Sequence, residues 1–243
     1  MDVFISRSVY KTRLTRKSKK KSQKKTQKFG GLEFYAYLCS PIADLKYRIT
    51  MKESLKIVPS ALLAGISIAI GGYVYTTVTG LWGAILFAFG LLTVVHYGLH
   101  LFTGKAGFFT SGKGVAQLFT VILFGNVAGC WLVSLIASAP VVAACQGIVA
   151  GRLEAGYLSN FLLAIPCGFI MTTAVEFGRQ GRFLPLLFGV PVFIMCGFRH
   201  SIADAFYYTA AATWSAALIV NWLLIVLGNF VGCNLYRLLI RKG

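Results

Sequence analysis

Gly228-Asn229-Phe230-Val231-Gly232-Cys233 restates, about one hundred residues on, the stretch Gly125-Asn126-Val127-Ala128-Gly129-Cys130. Two further correspondences share that spacing: Leu62-Leu63-Ala64 with Leu162-Leu163-Ala164, and a polar interruption Leu101-Phe102-Thr103-Gly104 with Gly197-Phe198-Arg199-His200. Each set lies in an apolar run, so the chain reads as one three-helix unit made twice. Three is odd, so the second copy must enter a bilayer upside down, and halves related in that way meet at a central site lined by interrupted helices.

Composition agrees. Of 243 residues 57% are hydrophobic and 13% charged, whereas a soluble domain keeps about a quarter charged. A bilayer core of about 30 Å takes about 20 helical residues, and six apolar windows approach that length: 57–77, 82–102, 115–138, 158–176, 183–209 and 213–236. Lys105 and Lys113 follow the second window, Glu176, Arg179 and Arg182 the fourth, and Arg237, Arg241 and Lys242 the sixth. The opposite loops, 78–81, 139–157 and 210–212, carry only Arg152 and Glu154. Basic residues collect on the cytoplasmic side, which puts both termini in the cytoplasm. The expected fold is an all-α, multi-pass membrane protein of six transmembrane helices in two inverted three-helix repeats, with the second and fifth helices broken.

The net charge of +17 is uneven: residues 1–56 hold fifteen basic and four acidic side chains. This segment reads as a basic cytoplasmic tail, partly disordered because Arg7 to Lys28 is too polar to bury a core. Anionic headgroups would attract it at about 1 kcal/mol per basic residue. Residues 33–56 are a candidate interfacial helix, and residues 57–243 form the pore domain. The first apolar run starts too late for a cleaved signal peptide, so the first span is expected to remain. The six cysteines include no C-x-x-C pair, and they read as small buried hydrophobes. With no metal spacing, no His-Glu-x-x-His, no Gly-x-Ser-x-Gly and no dinucleotide fingerprint, neither catalysis nor a metal or other cofactor is expected.

Two breaks carry the functional argument. Gly104, Gly107, Gly112 and Gly114, with lysines among them, cannot continue an apolar helix, so the second span is expected to end in a loop folding back into the protein. In the fifth window Cys196-Gly197-Phe198 precedes a short helix expected from about His200 to Thr209. Irregular backbone at membrane depth persists where protein buries it or where it lines a wet cavity. The free N–H groups of half-helices there suit an anion.

At these residues the chain resembles the formate/nitrite transporter family, from about Ala61 to Gly232. The likeness rests on Phe87-x-x-Gly90-Leu91, Gly98-x-x-Leu101-Phe102-Thr103-Gly104, Phe193-x-x-x-Gly197-Phe198-x-His200-Ser201-Ile202-Ala203 and the two Gly-Asn pairs. It implies an aquaporin-like subunit, a homopentamer with a pore in each protomer, and passage of small monovalent anions such as formate, nitrite, hydrosulfide or lactate, with protons as companions. It also implies a multi-pass protein of the bacterial inner membrane. Residue by residue, it sets Leu91 with Phe87 at one hydrophobic constriction and Phe193 at the other. His200 then lies between them with Thr103 opposite, and Asn229 holds the histidine ring with Asn126 as its repeat mate. The basic tail has no counterpart in that pattern.

The sequence departs from the pattern in several places. Arg199 stands where the family usually has Glu, Asp204 where it has Asn, and Cys167-Gly168-Phe169 where Cys-Asn-Trp is common. No basic residue occurs from Ala155 to Val175, so the family's Lys–Glu–Asn cluster is expected to be absent as a unit. His100 stands where an acidic or amide residue is common.

A charge crosses an apolar constriction at a cost of several kcal/mol. A central His200 lowers that cost by giving the anion a proton or a hydrogen bond, with Thr103 as a second partner and Arg199 supplying positive potential. An ordinary imidazole titrates near 6.5 and exchanges protons at physiological pH. Plainer roles stand beside these: Thr103 as a helix cap, Phe193 and Leu91 as core, Asn126 and Asn229 as helix bridges. Arg199 with Asp204 reads equally well as a structural ion pair, and His96 and His100 as interhelical hydrogen bonders. The competing classes are a neutral-solute channel, which the absence of Asn-Pro-Ala disfavours, and a scaffold using the basic tail. No specific nucleic-acid partner is expected.

Overall fold

The computed structural model describes residues 51–108 and 114–239. Residues 1–50 of the basic tail, Gly112, Lys113, Arg241 and Lys242 lie outside the described residues, as does Cys39; of the candidate interfacial helix, only its end is described, α1 (Met51–Leu55). The other described elements are all helical: α2 (Val58–Thr77), α3 (Gly80–His96), α4 (Phe102–Lys105), α5 (Val115–Ser134), α6 (Ala139–Arg179), α7 (Leu184–Met195), α8 (Ser201–Ala210), α9 (Ala216–Cys233) and α10 (Leu235–Leu239). By length and composition α2, α5, α6 and α9 can each cross a membrane, while α3 and α7 are shorter apolar helices.

Helix starts follow local chemistry. Pro59, Pro140 and Pro185 open α2, α6 and α7, where a missing N–H costs nothing. Ser215 caps α9 by accepting from Leu218 N at 3.2 Å. Small residues then let the helices close. On α2, Ala61, Ala64, Gly65, Ile68, Ala69 and Gly72 form the buried stripe; α2 packs on α3 and α5, and α6 on α9. Large apolar side chains point outward instead: Trp82, Phe124, Ile136, Leu158 and Phe188 are each about 70% exposed, while Asn126, Asn160, Asn221 and Asn229 are buried completely. An apolar exterior around a polar interior is the arrangement that lipid favours.

The two Gly-Asn helices make the same bonds. Asn126 Nδ2 donates to Ala61 O and His100 O, both at 2.8 Å, and its Oδ1 accepts from Phe102 N at 2.9 Å. Asn229 Nδ2 donates to Ala164 O and Arg199 O, both at 2.8 Å, and its Oδ1 accepts from Ser201 N at 2.8 Å. Ala61 therefore corresponds to Ala164, and Gly65 to Gly168; the Leu-Leu-Ala match expected from sequence is out of register.

Other boundaries differ too. The segment 139–157, expected as a loop, is helical, and α6 turns at Gly156 (φ 76°, ψ 166°), a conformation glycine adopts without strain. The first break falls before Phe102-Thr103-Gly104, which begin α4, so the interruption is Tyr97–Leu101. The second runs from Cys196 to His200, and α8 begins one residue later than expected. Gly98 (φ 64°) and Gly197 (φ 68°) release the chain from α3 and α7 in the same way. Among the described cysteines Cys196 is exposed, unlike the other four.

Candidate functional site

His200 is the N-cap of α8. Its Nδ1 accepts from Ala203 N at 3.1 Å, and its Nε2 lies 3.0 Å from Thr103 Oγ1. A backbone N–H only donates, so Nδ1 carries no proton and that of the neutral ring sits on Nε2. Nε2–H then donates to Thr103, whose own hydroxyl proton is free to point elsewhere. Both residues are buried, Thr103 at 0% and His200 at 2% exposure; Thr103 lies in α4, just past the first break, and His200 ends the second. The Asn229 amide, expected to hold the histidine ring, grips backbone instead, as does that of Asn126, its expected repeat mate. Asn229 holds Arg199 O and Ser201 N on either side of His200; Asn126 holds His100 O and Phe102 N either side of Leu101. They position the breaks that carry the pair.

The aromatic residues form one layer. Phe193 stacks on the His200 ring, with centroids 5.5 Å apart and planes 25° apart. Phe87 meets Phe193 edge to face at 5.9 Å. The sequence reading set these two phenylalanines at opposite constrictions, whereas their rings touch. Leu91, one turn along α3 from Phe87, is 1% exposed.

The charged residues pair differently from expectation. Asp204, one turn past His200, bonds Arg152 rather than Arg199: Arg152 Nε and Nη2 both reach Asp204 Oδ1 at 3.1 Å. Arg199 donates from Nε to Asn160 Oδ1 at 2.8 Å and from Nη1 to Gly197 O at 2.9 Å. Asn160 Nδ2 bonds Arg152 O and, at 2.9 Å, Asn221 Oδ1, and Asn221 Nδ2 reaches Tyr208 OH at 3.2 Å. No Lys–Glu–Asn unit stands here, yet a buried charged cluster of other residues does. Sequence reasoning missed Arg152, Asn160, Asn221 and Tyr208. The available signal was Arg152 itself, a cation followed four residues on by a helix-turning glycine. His100 Nδ1 bonds Ser60 Oγ at 2.8 Å, which ties the first break to α2 rather than one helix to another; His96 is exposed, with its neighbour Tyr97 as its ring contact among the described residues.

Chemically, the arrangement supplies an imidazole N–H, a hydroxyl and an aromatic lid in a dry setting, with excess positive charge adjoining. Such groups stabilise an anion stripped of water.

Residues 40–241 match the family model for formate/nitrite transporters. A probable formate transporter of Methanothermobacter thermautotrophicus is 26% identical, over 81% of this chain and 90% of that protein. YrhG, an uncharacterized transporter of Bacillus subtilis (strain 168), is 27% identical over 79% and 87%. Among solved structures, a pentameric formate channel with formate bound superposes with a TM-score of 0.68 at 24% identity, covering 78% of this chain and 96% of that one. An FNT family ion channel superposes with a TM-score of 0.67 at 18% identity, covering 84% and 92%. The fold is that of these channels.

Proposed function

The chain belongs to the formate/nitrite transporter family, and from that premise we propose that it passes small monovalent anions of weak acids through a pore in each protomer of a homopentamer. The observation that carries this reading is the buried Thr103–His200 hydrogen bond at 3.0 Å, formed between two interruptions of apolar helices. Six spans in two inverted repeats, with both termini cytoplasmic, accommodate it; the matching bonds of Asn126 and Asn229 support the repeat.

An anion reaching the Phe87–Phe193 layer sheds water. There it exchanges hydration for the Nε2–H of His200 and the hydroxyl of Thr103. The Nε2 proton stays on the ring, because Nδ1 carries none and losing the second would leave an imidazolate; the hydrogen bonds lower the barrier, and a proton that travels with the anion as its neutral acid comes from the aqueous side. The capped Nδ1 favours hydrogen-bond donation through Nε2. Formate, nitrite, hydrosulfide and lactate are the candidates.

The test is influx into liposomes holding the full-length protein, with those four anions and glycerol across pH 5–8. The reading expects one or more anions to enter and glycerol to be excluded. Passage of glycerol alone contradicts it.

A further inference from the structure

We infer that Arg152 and Asp204 form the selectivity pair of the pathway: Arg152 cancels the carboxylate, so that Arg199 remains as the excess charge that holds a monovalent anion beside His200. The inference rests on the transport reading above and concerns residues that reading leaves unused.

Asp204 lies on α8 one helical turn from His200, its backbone N bonded to His200 O at 2.9 Å. Its side chain is 1% exposed. Both N–H groups from Arg152 go to Oδ1, and Oδ2 is buried with no partner. The compensation of this carboxylate therefore depends on Arg152. A buried charge is tolerated only when paired, and an unpaired carboxylate at that position would repel an anion approaching the histidine.

Arg199 is in the opposite situation. It is 9% exposed, and its bonded groups meet neutral acceptors, the Asn160 amide and the Gly197 carbonyl. Nη2 has no partner among the described residues, and Arg152–Asp204 is the one salt bridge among them. Two guanidinium groups and one carboxylate leave a net charge of +1, which matches a single monovalent anion. The cluster is also mechanically joined, because Asn160 grips Arg199 through Oδ1 while its Nδ2 bonds the Arg152 carbonyl. An open cationic edge on the residue preceding His200 is thus held in place by the same segment that silences Asp204.

The experiment measures formate and nitrite influx into liposomes at a fixed membrane potential and low anion concentration. Full-length wild type, Arg152→Gln, Asp204→Asn and the double variant are compared. Arg152→Gln is expected to lower influx at least about tenfold, since it leaves the carboxylate uncompensated. Asp204→Asn is expected to raise influx, because both cations then act, and the double variant to return to within about threefold of wild type, its net charge again +1. Influx in Asp204→Asn that is unchanged or lowered overturns the inference, as does a double variant as poor as Arg152→Gln; both outcomes mean a structural pair. If Arg152→Gln fails to fold, Asp204→Asn and the double variant decide alone. A wild type inert to every anion fails the transport reading itself, a result distinct from either.

Discussion

Thr103 and His200 are 97 positions apart yet share one hydrogen bond, so each supplies a separate test. Thr103→Val keeps the shape and removes the hydroxyl. It is expected to cut anion influx about tenfold while shifting the melting temperature little, since one hydrogen bond is worth about 1 kcal/mol to the fold; Thr103→Ser is expected to restore influx. Asn126 and Asn229 answer to stability instead. Each satisfies three buried backbone groups, so Asn126→Ala and Asn229→Ala are expected to destabilise by similar amounts, about 2 to 4 kcal/mol, read as paired losses in thermal unfolding. A large loss in only one contradicts the equivalence. His200 and Thr103 were legible in the sequence because motif order and spacing mark them. The grip of the asparagines on backbone was not, because the sequence names an amide but not which atoms face it.

At the scale of elements, glycine separates close approach from open surface. A Cβ at Gly65 or Gly168 would collide with the backbone oxygen of Asn126 or Asn229, whereas at Gly147 nothing lies within 4 Å. Gly65→Ala and Gly168→Ala are therefore expected to cost about 1–3 kcal/mol or more through overpacking. Gly147→Ala, on an exposed helical stretch, is expected to gain about 0.5–1 kcal/mol. Thermal unfolding in detergent checks all three. The apolar windows were read close to their final positions because length and hydropathy decide them. The helix over 139–155 was missed for a physical reason: Arg152, Glu154, Gly147 and Gly151 dilute its apolar period, and its stability comes from packing. That miss also hid the Arg152–Asp204 pair, since a loop residue gave no cause to look 52 positions ahead for its partner.

For the molecule as a whole, the inside-out distribution of side chains argues for a lipid-embedded protein whose polar residues face each other. The proposed homopentamer would cover part of the exposed apolar residues. Native mass measurement of the full-length protein in mild detergent is expected to give five copies of a 26.4 kDa chain; a monomer contradicts that assembly. The helical membrane fold class followed from the apolar windows and the repeat, and the candidate path residues from the family resemblance at the breaks. Charge pairing did not, because it depends on which helices meet.

The most direct test of the central claim replaces His200 with asparagine and measures formate and nitrite influx into liposomes. Asparagine is a good N-cap, so α8 keeps the acceptor that His200 Nδ1 now provides while the Nε2–H facing Thr103 is removed. The account predicts a protein that folds and melts near the wild-type temperature but has lost anion influx at least about tenfold. Wild-type influx in His200→Asn would contradict it.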